Sequence, residues 1–227
     1  MSESPESGQP RDPPEYGDDD WEDPMEGAVP KSELPEAVVE EVPVWDDPYL
    51  DRVSDRLMYN YSLERDHRLR GERWDLHGEM RVLNQKQFFH PALSYADHES
   101  EEYLYARRVE RPTVDELERL VDLGHELADE WIDAHEEHYR TDFTFVLVAD
   151  ELPEDVREFV DGQRERTLLK YGYYGHYEVN LVVVAPEQEA YVASQEADVW
   201  RAFALWTDTD PDAEPGLLDR LKGLFGG

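Results

Sequence analysis

Two stretches of the chain, Phe143 to Ala149 (FTFVLVA) and Tyr177 to Ala185 (YEVNLVVVA), carry apolar residues at so many consecutive positions that neither can lie on a sheet with one face in water. Strands of that kind are covered on both sides. The chain must therefore build a layered domain with a central sheet, and the segments around the two runs have the patterns to supply the layers.

Asp47-Pro48 opens a helix, with Asp as cap and Pro at the first helical position. Its apolar stripe is Tyr49, Leu50, Val53, Leu57, Met58 and Tyr61. From Arg73 the period changes to two, as Trp74, Leu76, Gly78, Met80 and Val82 alternate with Asp75, His77, Glu79 and Arg81. That is a half-buried strand. Gln87 to His90 reads as a short strand, and Glu102 to Val109 as another with Tyr103, Tyr105, Arg107 and Val109 on one face. The long helix runs from Thr113 to about Tyr139, opened by a Thr113–Glu116 capping box. A short helix follows Leu152-Pro153 and ends at Gly162, and a last one starts at a Ser194 cap and runs through Trp206. The expected fold is α+β: one domain over residues 46–206, with a mixed sheet of about five strands. The long helix covers one face, the remaining helices cover the other, and the two apolar strands suit a parallel crossover.

Both ends of the chain differ from this middle. Residues 1–45 hold eight of the 15 prolines and 14 acidic residues against Arg11 and Lys31, which predicts a disordered acidic tail. Val44 and Trp45 belong to an apolar cluster at its end that could strap onto the domain. Residues 207–216 (TDTDPDAEPG) read as a linker, and 217–227 as a short amphipathic helix with Leu217, Leu218, Leu221, Leu224 and Phe225 in one arc. Such a helix suits docking on its own domain or in the groove of a protein partner, or else attachment to a membrane surface.

The charge balance bounds the function. There are 56 acidic residues against 22 basic ones, a net charge of -34, while 39% of residues stay hydrophobic. Eighteen of the basic residues are Arg and four are Lys (Lys31, Lys86, Lys170 and Lys222). Avoidance of Lys with an acidic surface matches proteins of extreme halophiles, because molar salt shrinks the Debye length to about 3 Å and removes self-repulsion. Surface carboxylates are then a solvation device and poor evidence of chemistry. No cysteine occurs, which excludes disulfides, thiol nucleophiles and cysteine-based zinc sites. The first residues contain no apolar stretch of the signal-peptide kind and no apolar run of membrane-spanning length exists, so a cytoplasmic location is expected. Duplex nucleic acid is not an expected partner, since binding it would need a local basic patch.

The most unusual stretch is Leu168 to Asn180 (LLKYGYYGHYEVN), where four tyrosines, a lysine, a histidine and a glutamate surround two glycines. Gly172 and Gly175 permit backbone shapes closed to other residues, so the loop could gather Lys170, Tyr174, His176 and Glu178 into a ligand or catalytic site. The plain alternative packs the tyrosines on the sheet and pairs Lys170 with an acid. Lys86 and His90 join the candidate residues from the segment Asn84-Gln85-Lys86-Gln87-Phe88-Phe89-His90. Asp75 followed by Lys86 also matches, loosely, the acid-plus-lysine pattern of restriction-type nucleases, with Asn84 where that pattern expects an acid or glutamine. His135-Glu136-Glu137-His138 has its histidines three apart, where a zincin helix needs four, so no metal site and no cofactor is expected. Phosphate-binding loops, dinucleotide glycine motifs and nucleophile elbows are missing from the sequence.

Four segments resemble an uncharacterised haloarchaeal family: Asp46-Asp47-Pro48-Tyr49-Leu50, Phe88-Phe89-His90-Pro91-Ala92, Leu120-Val121-Asp122-Leu123-Gly124-His125, and Leu169 through Glu178. The resemblance covers about residues 46–206. It implies a haloarchaeal host and the domain limits, and brings no activity. The expectation is thus a non-catalytic binding or regulatory domain, with an enzyme centred on the LLKYGYYGHYE segment, or a metal-dependent nuclease-like hydrolase, as alternatives.

Overall fold

The computed structural model describes residues 43–85 and 97–207. Lys86 and His90, the expected strand Gln87–His90, the tail up to residue 42 and the helix 217–227 lie outside the described residues. In chain order the elements are α1 (Pro48–Leu57), β1 (Ser62–Leu69), β2 (Glu72–Gln85), β3 (Asp97–Val109), α2 (Val114–Trp131), β4 (His138–Ala149), α3 (Glu154–Gly162), β5 (Glu165–Leu168), β6 (His176–Ala185), β7 (Ala190–Ala193) and α4 (Trp200–Phe203).

The fold is α+β, with seven strands among the described residues in the order β1-β2-β3-β4-β6, followed at the far edge by β5 and β7. β3, β4 and β6 are parallel, and β1, β2, β5 and β7 attach antiparallel to their neighbours. The expected parallel pairing of the two apolar strands is present, with Phe145 opposite Leu181 and Leu147 opposite Val183. Two short strands divide the last edge: β5 pairs residues 176–179 of β6, and β7 pairs residues 182–185.

Cores lie on both faces. On one, α2 and α3 pack Leu117, Leu120, Leu127, Val156 and Val160 against Trp74, Tyr105, Phe145 and Leu181. On the other, α1 and α4 bring Leu50, Val53, Leu57 and Phe203 onto Leu76, Leu104, Val146, Val182 and Val184. Gly124 lets α2 approach β6: a Cβ there would lie 2.6 Å from a methyl carbon of Val179. Trp45 straps onto the second face as its indole donates to the Asp75 carbonyl at 2.7 Å.

Several expectations are corrected. The described residues form seven strands where about five were expected, because β1 (SLERDHRL), β5 (ERTL) and β7 carry no apolar alternation that marks them as strands. α3 shares its face with α2. α2 stops at Trp131, where Ile132 turns extended (φ −81°, ψ 111°), and His138 already pairs with Glu99 in the sheet. Pairing to β3 overrides the helix-compatible composition of residues 132–139. The helix expected after Ser194 shrinks to Trp200–Phe203. Ser194 caps nothing there; its hydroxyl accepts from the Leu181 N–H at 3.0 Å and so continues the sheet ladder. The alternation of β2 also breaks, since Trp74 faces α2 while Leu76 faces α1. His77, expected on the polar side, is buried and stacked on Tyr105 at 4.5 Å.

Candidate functional site

β5 and β6 form a hairpin closed by the tyrosine-rich loop, with Leu168 opposite His176. The chain turns through Lys170 (φ 46°, ψ 49°) and Tyr171 (φ 61°, ψ 25°) in the left-handed region, followed by Gly172 at φ 88°. Two adjacent side-chain-bearing residues in that region each carry a steric cost of about 1–2 kcal/mol. The turn persists because its ends are tied. Leu169 N–H donates to the Gly175 carbonyl at 3.0 Å, and Tyr173 N–H to that of Lys170 at 3.2 Å. Buried His138 donates from Nδ1 to the Tyr174 carbonyl at 2.7 Å, while the Thr141 hydroxyl holds Nε2 at 2.8 Å.

This loop points its side chains outward. Tyr171 is 96% exposed, Tyr173 84% and Leu168 58%. Lys170 is exposed as well and makes no ion pair among the described residues. Tyr177 packs in the core, so the tyrosines divide between surface and interior.

His176 and Glu178 leave the loop and enter β6 on the face that carries α1 and α4, beyond the reach of those helices. Here the structure assembles a buried ionic cluster. His176 Nε2 lies 3.3 Å from Glu178 Oε1, and Arg140 on β4 spans Glu178 at 3.0 Å and Asp142 at 2.6 Å. Arg166 of β5 approaches Glu178 at 3.6 Å and His176 Nδ1 at 3.4 Å. Glu102 on β3 accepts from the Thr144 hydroxyl at 3.2 Å.

Burial sets the titration of these acids. It pushes the Asp142 carboxyl from 3.8 up to about 7, against the attraction of Arg140. Burial also raises Glu102, against hydrogen bonds from Tyr61 and Thr144. Glu178 goes the other way: burial works to raise it, but the hydrogen bond from His176 and the charges of Arg140, His176 and Arg166 carry it below the ordinary value.

The cluster is closed chemically. An imidazole oriented by a carboxylate is half of a general-base arrangement, yet the working nitrogen must be free to meet a substrate. In His176 one ring nitrogen faces Glu178 and the other a guanidinium. A shallow cleft between β5 and β7, lined by Gln163, Arg164, Arg166, Asn180, Ser194 and Gln195, reaches Glu178 from the side.

Of the expected site residues, the structure joins His176 with Glu178 and leaves Lys170 outside their contacts. Tyr174 is not part of that pair; its carbonyl accepts from His138. Arg140, Asp142, Arg166 and Glu102 were not legible as site residues, although Arg140, Asp142 and Thr144 alternate toward one face just as His176, Glu178 and Asn180 do. Asp75 serves the sheet instead of a metal, as its carboxylate accepts from the Arg108 N–H at 2.8 Å, where the ladder between β2 and β3 has ended at Leu76 and Ala106. Lys86, the other residue of the acid-plus-lysine pattern, lies outside the described residues. The histidines fall on different elements, His125 on α2, His135 in the following loop and His138 on β4, with the His135 and His138 rings 6.5 Å apart. Among the described residues no group of three His, Asp or Glu side chains is placed to hold a metal ion, and no helix is long and apolar enough to cross a membrane.

Comparison with curated proteins and with solved structures returns no match. One family model does match, over residues 46–205, and that span takes in the whole sheet and all four described helices. The chain thus belongs to the family described as a domain of unknown function, DUF8052.

Proposed function

We propose that this chain is a non-catalytic binding domain of a salt-adapted cytoplasm, and that it engages its ligand through the loop Leu169–Gly175. One observation carries the reading. Tyr171 and Tyr173 stand almost wholly in solvent on a turn whose left-handed residues are held by fixed hydrogen bonds. Exposed, rigid tyrosines gain much contact area for little lost freedom on binding. Backbone strain that nothing in the local packing requires is a pointer to function.

The enzyme reading is weaker, because the cluster offers no ring nitrogen free of a partner. Recruitment through residues 217–227, whose sequence has an amphipathic pattern, is a separate proposal, which deletion of those residues tests.

The loop is tested by placing a photo-crosslinking amino acid at position 173 in the full-length chain and irradiating cells of the host. The expected product is an adduct whose purified component rebinds the wild-type chain. It should lose about tenfold or more in affinity for a Tyr171→Ala, Tyr173→Ala variant of unchanged melting temperature. Unchanged affinity in that variant, or no adduct at all, rejects the proposal.

A further inference from the structure

The proposed binding role leaves the ligand open, and the surroundings of the loop narrow it. Residues 163–176 contain Arg164, Arg166 and Lys170 against one acid, Glu165, in a chain whose net charge is -34. Arg166 and Leu168 project from the exposed face of β5, Arg164 precedes them, and Lys170 with the two tyrosines follows. Side chains two apart on a strand recur about every 6.6 Å. Arg166 and Leu168 share that repeat, while Arg164 flanks the strand on one side and Lys170 with two exposed aromatic rings stands in the turn on the other. Arg164 and Lys170 make no ion pair among the described residues, and the Arg166 side chain stays 57% exposed while reaching toward Glu178.

We infer that this edge binds single-stranded nucleic acid, with bases stacked on Tyr171 and Tyr173 and phosphates held by Lys170, Arg164 and Arg166. Stacking on aromatic rings beside a basic track is the general means of holding single strands, and it needs no pocket. The extent of the patch favours this ligand over a folded protein. Leu168, Tyr171 and Tyr173 offer roughly 500 Å² of side-chain surface, short of the ~800 Å² that a stable protein partner covers. The acidity of the rest of the chain does not forbid it. Beyond about 8 Å at physiological ionic strength, and about 3 Å in molar salt, distant carboxylates are screened, so the local cations decide. A duplex keeps its bases stacked inside and gives the tyrosines nothing to hold.

This inference rests on the loop being the binding surface, and the experiment separates the two. Fluorescence polarisation of labelled oligo-dT and oligo-U, and of a matched duplex, is titrated with the full-length chain over a series of KCl concentrations. Single strands should bind at least tenfold more tightly than duplex, with a log–log salt slope of about −2 for three phosphate contacts. Tyr171→Ala should weaken binding about tenfold and leave the slope unchanged, whereas Tyr171→Phe should retain it. Lys170→Ala or Arg164→Ala should flatten the slope by about 0.7. Circular dichroism melts confirm that each variant is folded. Duplex bound as tightly as single strand, binding indifferent to Tyr171→Ala, or no saturation by about 100 µM protein overturns the inference. If a protein is crosslinked at position 173 while oligonucleotides fail, the binding reading survives and the nucleic-acid ligand falls. If neither binds, both fall.

Discussion

His138 Nδ1 donates to the carbonyl of Tyr174 across 2.7 Å, so a buried side chain at the start of β4 fixes the backbone of the tyrosine loop. The next residue, Gly175, passes so close to β4 that a Cβ would lie 2.1 Å from the Tyr139 carbonyl oxygen, and its φ is 73°. Gly172 has φ 88° and open space around it. Gly175→Ala should therefore cost more than about 3 kcal/mol, and Gly172→Ala only about 1–2 kcal/mol. Denaturant titrations of both variants at constant salt compare the two. Equal losses would mean that the loop does not approach β4 this closely.

Tyr171 stays left-handed with its ring 96% exposed, so the side chain brings strain and no packing. Tyr171→Gly should leave stability unchanged or raise it by up to about 1 kcal/mol, the relief of strain being partly offset by a freer unfolded chain. The same substitution should weaken binding at the loop about tenfold. A clear drop in melting temperature would show instead that the ring packs in solution.

Asp142 provides a pH signature. Its carboxyl is raised from 3.8 to about 7 in the folded protein, so between those values the folded state holds a proton that the unfolded state has lost. Stability from this group is present at low pH and is lost as pH rises toward 7 and above. Glu178 has the opposite sign, since its lowered value contributes stability that disappears only as pH falls below the ordinary carboxylate range. Asp142→Asn should remove the first dependence. The variant should gain on the wild type, by an amount on the order of 2–4 kcal/mol, as pH rises from about 4 to 8. Unfolding free energies across that range give the difference directly, and parallel curves would place the ionised Asp142 comfortably beside Arg140.

Asp47 joins two elements. It accepts from Tyr49 N–H at 2.9 Å and Leu50 N–H at 3.4 Å as the cap of α1, and it pairs with the Arg108 guanidinium at the end of β3. The hydrogen bond from Arg108 is the largest influence holding its carboxyl below the usual range, with burial opposing it. Asp47→Ala should destabilise the protein by about 1–2 kcal/mol at neutral pH. The loss should shrink only as pH falls below the ordinary Asp value toward the lowered folded one, because the unfolded chain takes up the proton first and the folded carboxylate last. A pH-independent loss would assign the effect to packing of α1.

What the sequence settled by itself is the part governed by local chemistry. Asp47-Pro48 can hardly do other than open a helix, Thr113 begins α2 with its hydroxyl accepting from the Glu116 N–H at 3.2 Å, and Pro186 ends β6. Two runs apolar on both faces required a sheet covered twice and allowed the parallel pairing that the structure has. Gly172 and Gly175 marked an unusual loop, because only a turn needing positive φ keeps two glycines among four tyrosines. Tertiary structure decided everything that depends on a partner distant in the chain. β1 and β5 are too polar to announce themselves and become strands only because β2 and β6 offer them backbone hydrogen bonds. Residues 132–139 look helical, but the chain leaves the helix at Ile132 and joins the sheet where His138 pairs with Glu99. Arg140, Asp142 and Arg166 looked like surface charges in an acidic chain and Glu178 like part of the tyrosine loop, and pairing of β4, β5 and β6 brought them together as an ionic cluster in which Asp142 and Glu178 are buried and Arg166 stays exposed. Lys170, close to Glu178 in sequence, was carried into solvent by its left-handed turn. Periodicity records which residues avoid water, but which charges meet inside depends on strand register, and register is a property of the folded sheet.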